Sequence, residues 1–594
     1  MATVSPVNLP SRVAGILGNA ALDRFDAIII GSGAGGSIAA RTLALVGGKN
    51  VLVLEHGPNY FPGLDDPSPD MPRPLFSNDE LKHAIRHFIE QDALVEPRTF
   101  RESESSEARV APDVNVLPKT VGGGAVHADM KYPRFNAVDF YLATELDRKG
   151  IRYEGASFAD WPVSYEELEP YYEEAERISG VQGLAGSDPF ASPRRHGYPM
   201  PPGVPMYVAE VLSRGAQARG YTPFPYPGAQ NSRFYRGRPP CNDCGFCSGY
   251  GCPNNSKGSP AVTALRDALL SGRCQVRYNC HVTRLLHDGG RRITGVEYVD
   301  DTGARHEVRA DVYLLAASAI ESARLCLASA AGGLGNGSGL VGRFLMFHTQ
   351  NLAVGIYRQR LHGERGRSVT HGISDLRGVR PGGAEIAPEM PLGGIVEFGT
   401  NSGAISGAQA AVQALELAKL QNLQGITLKR LLRANIFQGH IAVLIQQAED
   451  APYYHNRVDL DDRLHDVFGQ PVPRITYRLG ALERTARQFY ASRLVEIHRA
   501  AGADYGFLAP LESPPTTRHV MGTLRMGNDA ALSVCNRWQR FHEVENLYAV
   551  DASVFVTSSG YNPTLTIIAL ALRAAANLVS PASPERVLGR DGPL

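Results

Sequence analysis

An excess of either charge is missing from this sequence: lysine and arginine number 60, aspartate and glutamate 60. Composition therefore offers no basic face for nucleic acid and no acidic face for a cationic partner. Also missing is any apolar run of about 18 residues free of charge, so no transmembrane helix is expected. The opening stretch, MATVSPVNLPSRVAGILGNAALDRF, lacks the continuous apolar core of a secretory signal. That favours a cytoplasmic location, with export to the periplasm alongside a partner subunit as the alternative. Repeats with a period of roughly 20–50 residues and low-complexity tracts are absent, which excludes solenoids and propellers. Cysteine is sparse and uneven: of eight, four fall between Cys241 and Cys252, and Cys274, Cys280, Cys326 and Cys535 are scattered. A disulfide framework would be spread more evenly.

What is present is a globular composition, 43% hydrophobic and 20% charged, on a chain long enough for several domains. Glycine (62) and proline (40) predict many turns and long irregular connections. The most informative segment is Phe25 to Glu55, FDAIIIGSGAGGSIAARTLALVGGKNVLVLE. The apolar run Ala27–Ile30 reads as a buried parallel strand. It ends in Gly31-Ser32-Gly33-Ala34-Gly35-Gly36, which fits G-x-G-x-x-G. Gly31 permits a tight turn, Gly33 lets backbone approach a pyrophosphate, and Gly36 lets helix pack on strand. The helix that follows (Ser37–Leu45) offers its N-terminal N–H groups to phosphate. Glu55 closes a second apolar run, Val51–Leu54, about 20 residues on, where an acid accepts from ribose hydroxyls. The segment predicts an adenine dinucleotide and does not by itself separate NAD from FAD.

A second α/β stretch is expected over Val276–Leu327, with strands CHVTRLLHD and ITGVEYVD and an apolar strand entering a helix in ADVYLLAASAIESARLCLAS. Residues 340–475 look less regular, apart from a helical stretch at Ala408–Leu420. Gly480–Ala501 reads as a long helix. Asn546–Val579 reads as a strand, a loop (Val556–Pro563) and a helix (Leu565–Leu578). Ser164 and Glu167 make a capping box for a helix through Glu176. His519, in HVMGTLRMG, and Asn562, in GYNPTLTIIALAL, are the candidate chemical groups. Taken singly, the first could be a core histidine and the second a turn starter.

Together these segments resemble the glucose–methanol–choline (GMC) family of FAD-dependent oxidoreductases. The resemblance is carried by GSGAGG, Glu55, KTVGGGAVHADMKYPRF at 119–135, WPVSYEELEPYYEEAE at 161–176, LLAASAIESARL at 314–325, HVMGTLRMG at 519–527 and VDASVFVTSSGYNPTLTIIALA at 550–571. It implies an α/β fold, a Rossmann-like FAD-binding domain with an interleaved α+β substrate-binding domain. The partition expected is an N-terminal extension (1–24), FAD-binding parts at 25–160 and 271–345, a cap and cysteine segment (161–270), a substrate-binding domain (346–505) and a C-terminal part with the catalytic residues (506–594).

The resemblance assigns His519 as the base that takes the hydroxyl proton while the hydride goes to flavin N5. It assigns Asn562 to the alcohol oxygen, because Asn cannot take a proton at neutral pH. It places Gly31, Ser32, Gly33, Gly36, Glu55, Gly122, Gly123, His127, Val282, Asp551, Ala552, Pro563 and Thr564 against the FAD. His127 stands where some relatives bind the flavin covalently and others do not, and both readings stay open.

The run Cys241-Asn-Asp-Cys244-Gly-Phe-Cys247-Ser-Gly-Tyr-Gly-Cys252-Pro253 is too compact for the two separated pairs of a usual zinc site. It resembles the cysteine run of bacterial gluconate- and fructose-type dehydrogenase large subunits, which implies an iron–sulfur cluster of [3Fe–4S] type passing electrons to a cytochrome or small subunit. A local disulfide, free thiols or another metal remain alternatives. The function expected is FAD-dependent oxidation of an alcohol group in a small molecule, a sugar, sugar acid or glycoside, with electrons passed to a redox partner. The alternatives are an oxygen-using oxidase of a long-chain or sterol alcohol, and a non-catalytic FAD-bearing subunit. His519 and Asn562 argue against the last.

Overall fold

In the computed structural model Ala27–Ile30 is a strand with all four residues buried, flanked in parallel register by Val51–Leu54 on one side and Val312–Leu315 on the other. Residues 14–68, 95–111, 118–377, 393–399, 424–434, 439–510 and 517–590 are described, with isolated positions 74, 75, 93, 114 and 515. The sheet is completed by Leu547–Ala549 beyond Val312–Leu315 and by Cys274–Tyr278 beyond Val51–Leu54, both parallel. Strands buried on both faces need continuous apolar runs, which is why Ala27–Ile30, Val51–Leu54 and Val312–Leu315 were legible and Cys274–Tyr278, CQVRY, was not. The helices Ala34–Arg41 and Thr564–Val579 belong to the same core. Tyr165–Ser179 also packs there, started by the reciprocal Ser164/Glu167 cap and ended by Gly180 in the left-handed region.

Four expectations need correction. Gly15–Gly18, inside the expected N-terminal extension, is an antiparallel edge strand of this sheet on Cys274–Tyr278. Edge pairing uses backbone groups and leaves little side-chain signature. The described residues of the stretch 340–475, expected to be less regular, supply the long strands Thr349–Ile356, Ile441–Ala448 and Arg457–His465. Thr349–Ile356 and Ile441–Ala448 lie in a six-stranded antiparallel platform with Tyr505–Leu508, Val396–Gly399, Val369–Ile373 and Phe224–Pro225. The segment 161–270 is not a separate cap, since its helix Tyr207–Ala218 and strand Phe224–Pro225 belong to the platform. Thr99–Arg101, expected in the FAD-binding part, pairs with Pro471–Thr476 in a four-stranded sheet. The Ala408–Leu420 helix expectation lies outside the described residues.

The platform has two unlike faces. Ala353, Val396, Phe398, Ala442 and Leu444 pack against Val208 and Leu212 of one helix and Tyr490, Leu494 and Ile497 of the helix Ala481–Ala500. From the same strands Gln350, Ile445 and Gln447 line the cavity shared with the nucleotide sheet. Among the described residues no helix is long and apolar enough to cross a membrane.

Candidate active site

A cavity of about 570 Å³ lies between the nucleotide sheet and the platform. Gly31, Gly33, Glu55 and Val282 line it, as do His519, Asn562, Pro563 and Thr564. The helix Ala34–Arg41 begins after Gly33, and no side chain caps it. Its first N–H groups therefore remain for an anion. At Gly33 a Cβ would meet only the Gly123 Cα, at 4.0 Å. Gly31 has φ of +102°, and a Cβ there would run into the Ala316 backbone. Both features suit a pyrophosphate held close to backbone.

Ser32, Gly36 and Gly122 differ from expectation: they shape the cavity from behind and do not line it. The buried Ser32 hydroxyl donates to Glu55 Oε2 at 2.6 Å and accepts from Gly122 N at 2.9 Å. Glu55 Oε2 also accepts from Ser32 N, and Oε1 from Gly57 N. One serine thus ties the ribose acid to both glycine loops. Burial raises the pKa of Glu55, and these hydrogen bonds work against that rise. A Cβ on Gly36 would collide with the Gly31 carbonyl oxygen, so this glycine serves helix packing as expected. Gly123 and His127 line the cavity, with the His127 ring buried. Asp551 and Ala552 line it too, and Asp551 accepts from Ser318 N, Ser322 Oγ and Ser553 N.

At the opposite end His519 Nδ1 lies 2.9 Å from His348 Nδ1. The other ring nitrogen of His348, Nε2, lies 3.1 Å from the Ser558 carbonyl and 2.9 Å from the Ser559 carbonyl. Carbonyls only accept, so His348 carries its proton on Nε2 and presents a bare Nδ1. His519 must then donate from Nδ1, which leaves its Nε2 lone pair for chemistry. Burial drives the His348 pKa down to about 4, and burial followed by the neighbouring His348 and Lys131 drives His519 well below 6.5. Both rings are neutral at neutral pH, as a base requires.

Asn562 is held from two sides. Its Oδ1 accepts from Tyr226 OH at 2.5 Å, and Nδ2 donates to Glu397 Oε1 at 3.0 Å. Two donors on Nδ2 leave one N–H for an alcohol oxygen. Glu397 is fully buried and pairs through Oε2 with Lys131 Nζ at 2.6 Å, while Lys131 also meets Asp129 Oδ2 at 3.0 Å. Burial opposes the Lys131 charge, yet these carboxylates push its pKa up. Gln447 donates to Glu397 at 3.2 Å, and its cross-strand neighbour Gln350 donates to Gln447 at 3.2 Å. The result is a charged and amide-rich wall beside His519.

The cysteine run folds as one loop over the same cavity. Ser248 and Gly249 line it, Gly249 N donates to the His127 carbonyl at 3.0 Å, and Lys257 Nζ clamps the carbonyls of Ala128, Cys247 and Tyr250. Cys247 is buried, and Cys241, Cys244 and Cys252 are partly so. Burial pushes the Cys241 thiol up to about 12 and raises Cys247. No three of these thiols lie within 4.8 Å of one another. A single tetrahedral ion would draw thiolates to about 3.8 Å apart, so the loop is not arranged for one zinc.

The GMC oxidoreductase family pattern matches residues 162–350 and 452–571. The 2-methyl-1,2-propanediol dehydrogenase of Mycolicibacterium austroafricanum is 30% identical over 93% of this chain and 94% of that protein. This chain is a GMC oxidoreductase. The gluconate 2-dehydrogenase flavoprotein of Pantoea cypripedii is 28% identical over 99% of the chain and 98% of its own length. The fructose dehydrogenase large subunit of Gluconobacter japonicus is 28% identical over 93% and 97%. The fold is shared with the solved formate oxidase of Aspergillus oryzae, with TM-score 0.60 and 15% identity over 95% of this chain and 99% of that one.

As a GMC oxidoreductase the protein is an FAD-binding flavoprotein that acts on CH–OH groups. The structure brings His519, Asn562 and the expected FAD contacts other than Ser32, Gly36 and Gly122 to one cavity. Sequence reading missed His348, Tyr226, Lys131, Glu397, Gln350 and Gln447. Lys131 sat within a quoted motif, and His348 was a lone histidine after the apolar run FLMF. Nothing near Tyr226 or Glu397 marked them out.

Proposed function

We propose that this GMC oxidoreductase is a dehydrogenase of a sugar, sugar acid or glycoside that passes its electrons to a redox partner. The observation that carries the reading is the wall of Asp129, Lys131, Glu397, Gln447 and Gln350 around Asn562. These groups already pair with one another, but a long-chain or sterol alcohol would take water from them and give no hydrogen bond in return. A polyol supplies hydroxyls to meet them. The names of the gluconate and fructose dehydrogenase relatives support the same substrate class.

His519 Nε2 takes the hydroxyl proton, with its lone pair aimed by the Nδ1–H donated to His348. The spare Asn562 N–H holds the alcohol oxygen and fixes the carbon that gives up hydride. Bound FAD supplies the two-electron hydride acceptor at its N5. Tyr226 and Glu397 keep the amide from turning over, so donor and acceptor ends stay where they are. Cys241, Cys244, Cys247 and Cys252 are the proposed ligands of an iron–sulfur cluster, three of them sufficing for a [3Fe–4S] type, which would supply one-electron transfer toward a cytochrome or small subunit. Contact of Ser248 and Gly249 with the cavity supports that placement. So does a relative named as a large subunit.

The test is anaerobic bleaching of the flavin against sugars, sugar acids, glycosides and long-chain alcohols, with iron measured on the same anaerobically prepared sample. Bleaching by a carbohydrate, reoxidation by an artificial dye faster than by air, and about three irons per chain are expected. Bleaching by long-chain alcohols alone with stoichiometric peroxide would overturn the dehydrogenase reading, and iron-free protein the cluster.

A further inference from the structure

We propose that His56, Glu96 and His281 form a binding site for one divalent transition-metal ion, zinc by donor chemistry, at the adenosine end of the cavity. His56 follows Glu55 directly, His281 precedes Val282, and Glu96 leads into the strand Thr99–Arg101. All three line the cavity. His56 Nδ1 lies 3.2 Å from His281 Nδ1 and 2.9 Å from Glu96 Oε1, and His281 Nδ1 lies 3.8 Å from Glu96 Oε1. A tetrahedral ion with bonds of about 2.0–2.1 Å spaces its ligands about 3.3 Å apart. These three separations bracket that value. No other trio of His, Cys, Asp or Glu among the described residues gathers its ligand atoms within 4.8 Å.

The surroundings fit a bound cation. Beyond the first ligands, His281 Nε2 lies 3.8 Å from Asp466 Oδ2, outside hydrogen-bond distance but with the carboxylate on the side where it can orient a metal-bound imidazole. Glu96 Oε2 takes Lys119 Nζ at 3.2 Å, which leaves Oε1 to point at the two rings. Phe468 stacks on His281 with centroids 4.3 Å apart and shields the site. Burial, with Lys119 and Arg324 near His56 and with His56 and Arg324 near His281, lowers the pKa of both imidazoles and favours the neutral form that binds metal. Glu55 is engaged by Ser32 and Gly57 and is not among the ligands, so an ion here leaves the ribose acid untouched. One tetrahedral position remains for water. The ion would clip the end of Val51–Leu54 and the strand Cys280–His287 to the segment leading into Thr99–Arg101, where the cofactor's adenosine half enters, so its loss is expected to loosen FAD without touching His519.

The experiment uses the FAD-loaded enzyme, stripped with 1,10-phenanthroline and reloaded with zinc chloride. Elemental analysis should find one zinc that the His56→Gln/His281→Gln double variant lacks. Zinc-edge X-ray absorption on the unmutated enzyme should show nitrogen and oxygen at about 2.0–2.1 Å, distinguishing this ion from any held by the cysteine loop, where sulfur at about 2.3 Å would dominate. Stripping should lower the temperature at which flavin fluorescence is released, and reloading should restore it. No uptake by the unmutated enzyme, a sulfur-only ligand shell, or equal zinc in the double variant would each overturn the proposal. The absorption spectrum needs no variant to fold.

Discussion

The nucleotide sheet and the platform sheet each have six strands and meet across one cavity, yet they relate to sequence in opposite ways. Strands such as Ala27–Ile30 and Val51–Leu54 are buried along their whole length, so each position demands an apolar side chain. Platform strands bury one face against helices and turn Gln350, Ile445 and Gln447 toward substrate space. The first kind of sheet is specified by packing alone. The second is specified partly by chemistry, and its pattern shifts with whatever it must bind. The comparison predicts that lesions in the nucleotide sheet cost cofactor and stability, while lesions along the platform face cost turnover and leave FAD bound.

The largest effect is expected from Gly36→Ala, where the new Cβ meets the Gly31 carbonyl oxygen. A loss of more than ~4 kcal/mol should appear as apoprotein or insoluble chain by flavin absorbance. His519→Ala comes next: flavin reduction by substrate should slow by ~10²–10⁴ in stopped flow, with FAD content and melting temperature retained. Undiminished reduction would remove His519 from the base role. Glu397→Gln should lower kcat/KM by roughly 10–100-fold with FAD unchanged, because an amide NH2 replaces one of the two oxygens that accept from Asn562 and Lys131 and the charge that pairs with Lys131 is gone. Should that variant lose its flavin instead, the division between the two sheets fails.

His348→Phe should cost roughly tenfold in kcat with little change in KM, since His519 loses the acceptor that fixes its tautomer. Its stability profile sharpens the point. Burial lowers the folded pKa of His348 from 6.5 to about 4, so the unfolded chain binds the proton more readily between those values. Stability from this neutral ring is complete above pH 6.5 and declines as pH falls toward 4, by about 3 kcal/mol in all. Urea midpoints at pH 7.5 and 4.5 should converge in the variant relative to the unmutated enzyme. By the same reasoning kcat/KM should hold its plateau below pH 6.5, because the His519 pKa is also depressed.

The dinucleotide motif, the helix cap at Ser164 and the helix Ala481–Ala500 were legible because each rests on local pattern, whereas His519 and Asn562 stood out only through the family resemblance. Gly15–Gly18 was not, since an edge strand is recruited by exposed backbone on Cys274–Tyr278. Nor was the platform, where Glu397 and Gln447 occupy strand positions that an alternating pattern would leave to solvent. Ser32 was read as a cofactor contact and proves to be a tie between Glu55 and Gly122, a distinction that depends on which way one hydroxyl turns.

Sequence by itself determined that this chain holds an adenine dinucleotide on a βαβ unit, because glycines, strand runs and their order are local requirements, while His519 and Asn562 were singled out only through the family resemblance. Only the tertiary structure decided which nitrogen of His519 is free, what clamps Asn562, and that His56, Glu96 and His281 meet. Those outcomes depend on distances between segments tens to hundreds of residues apart, and no local preference encodes them.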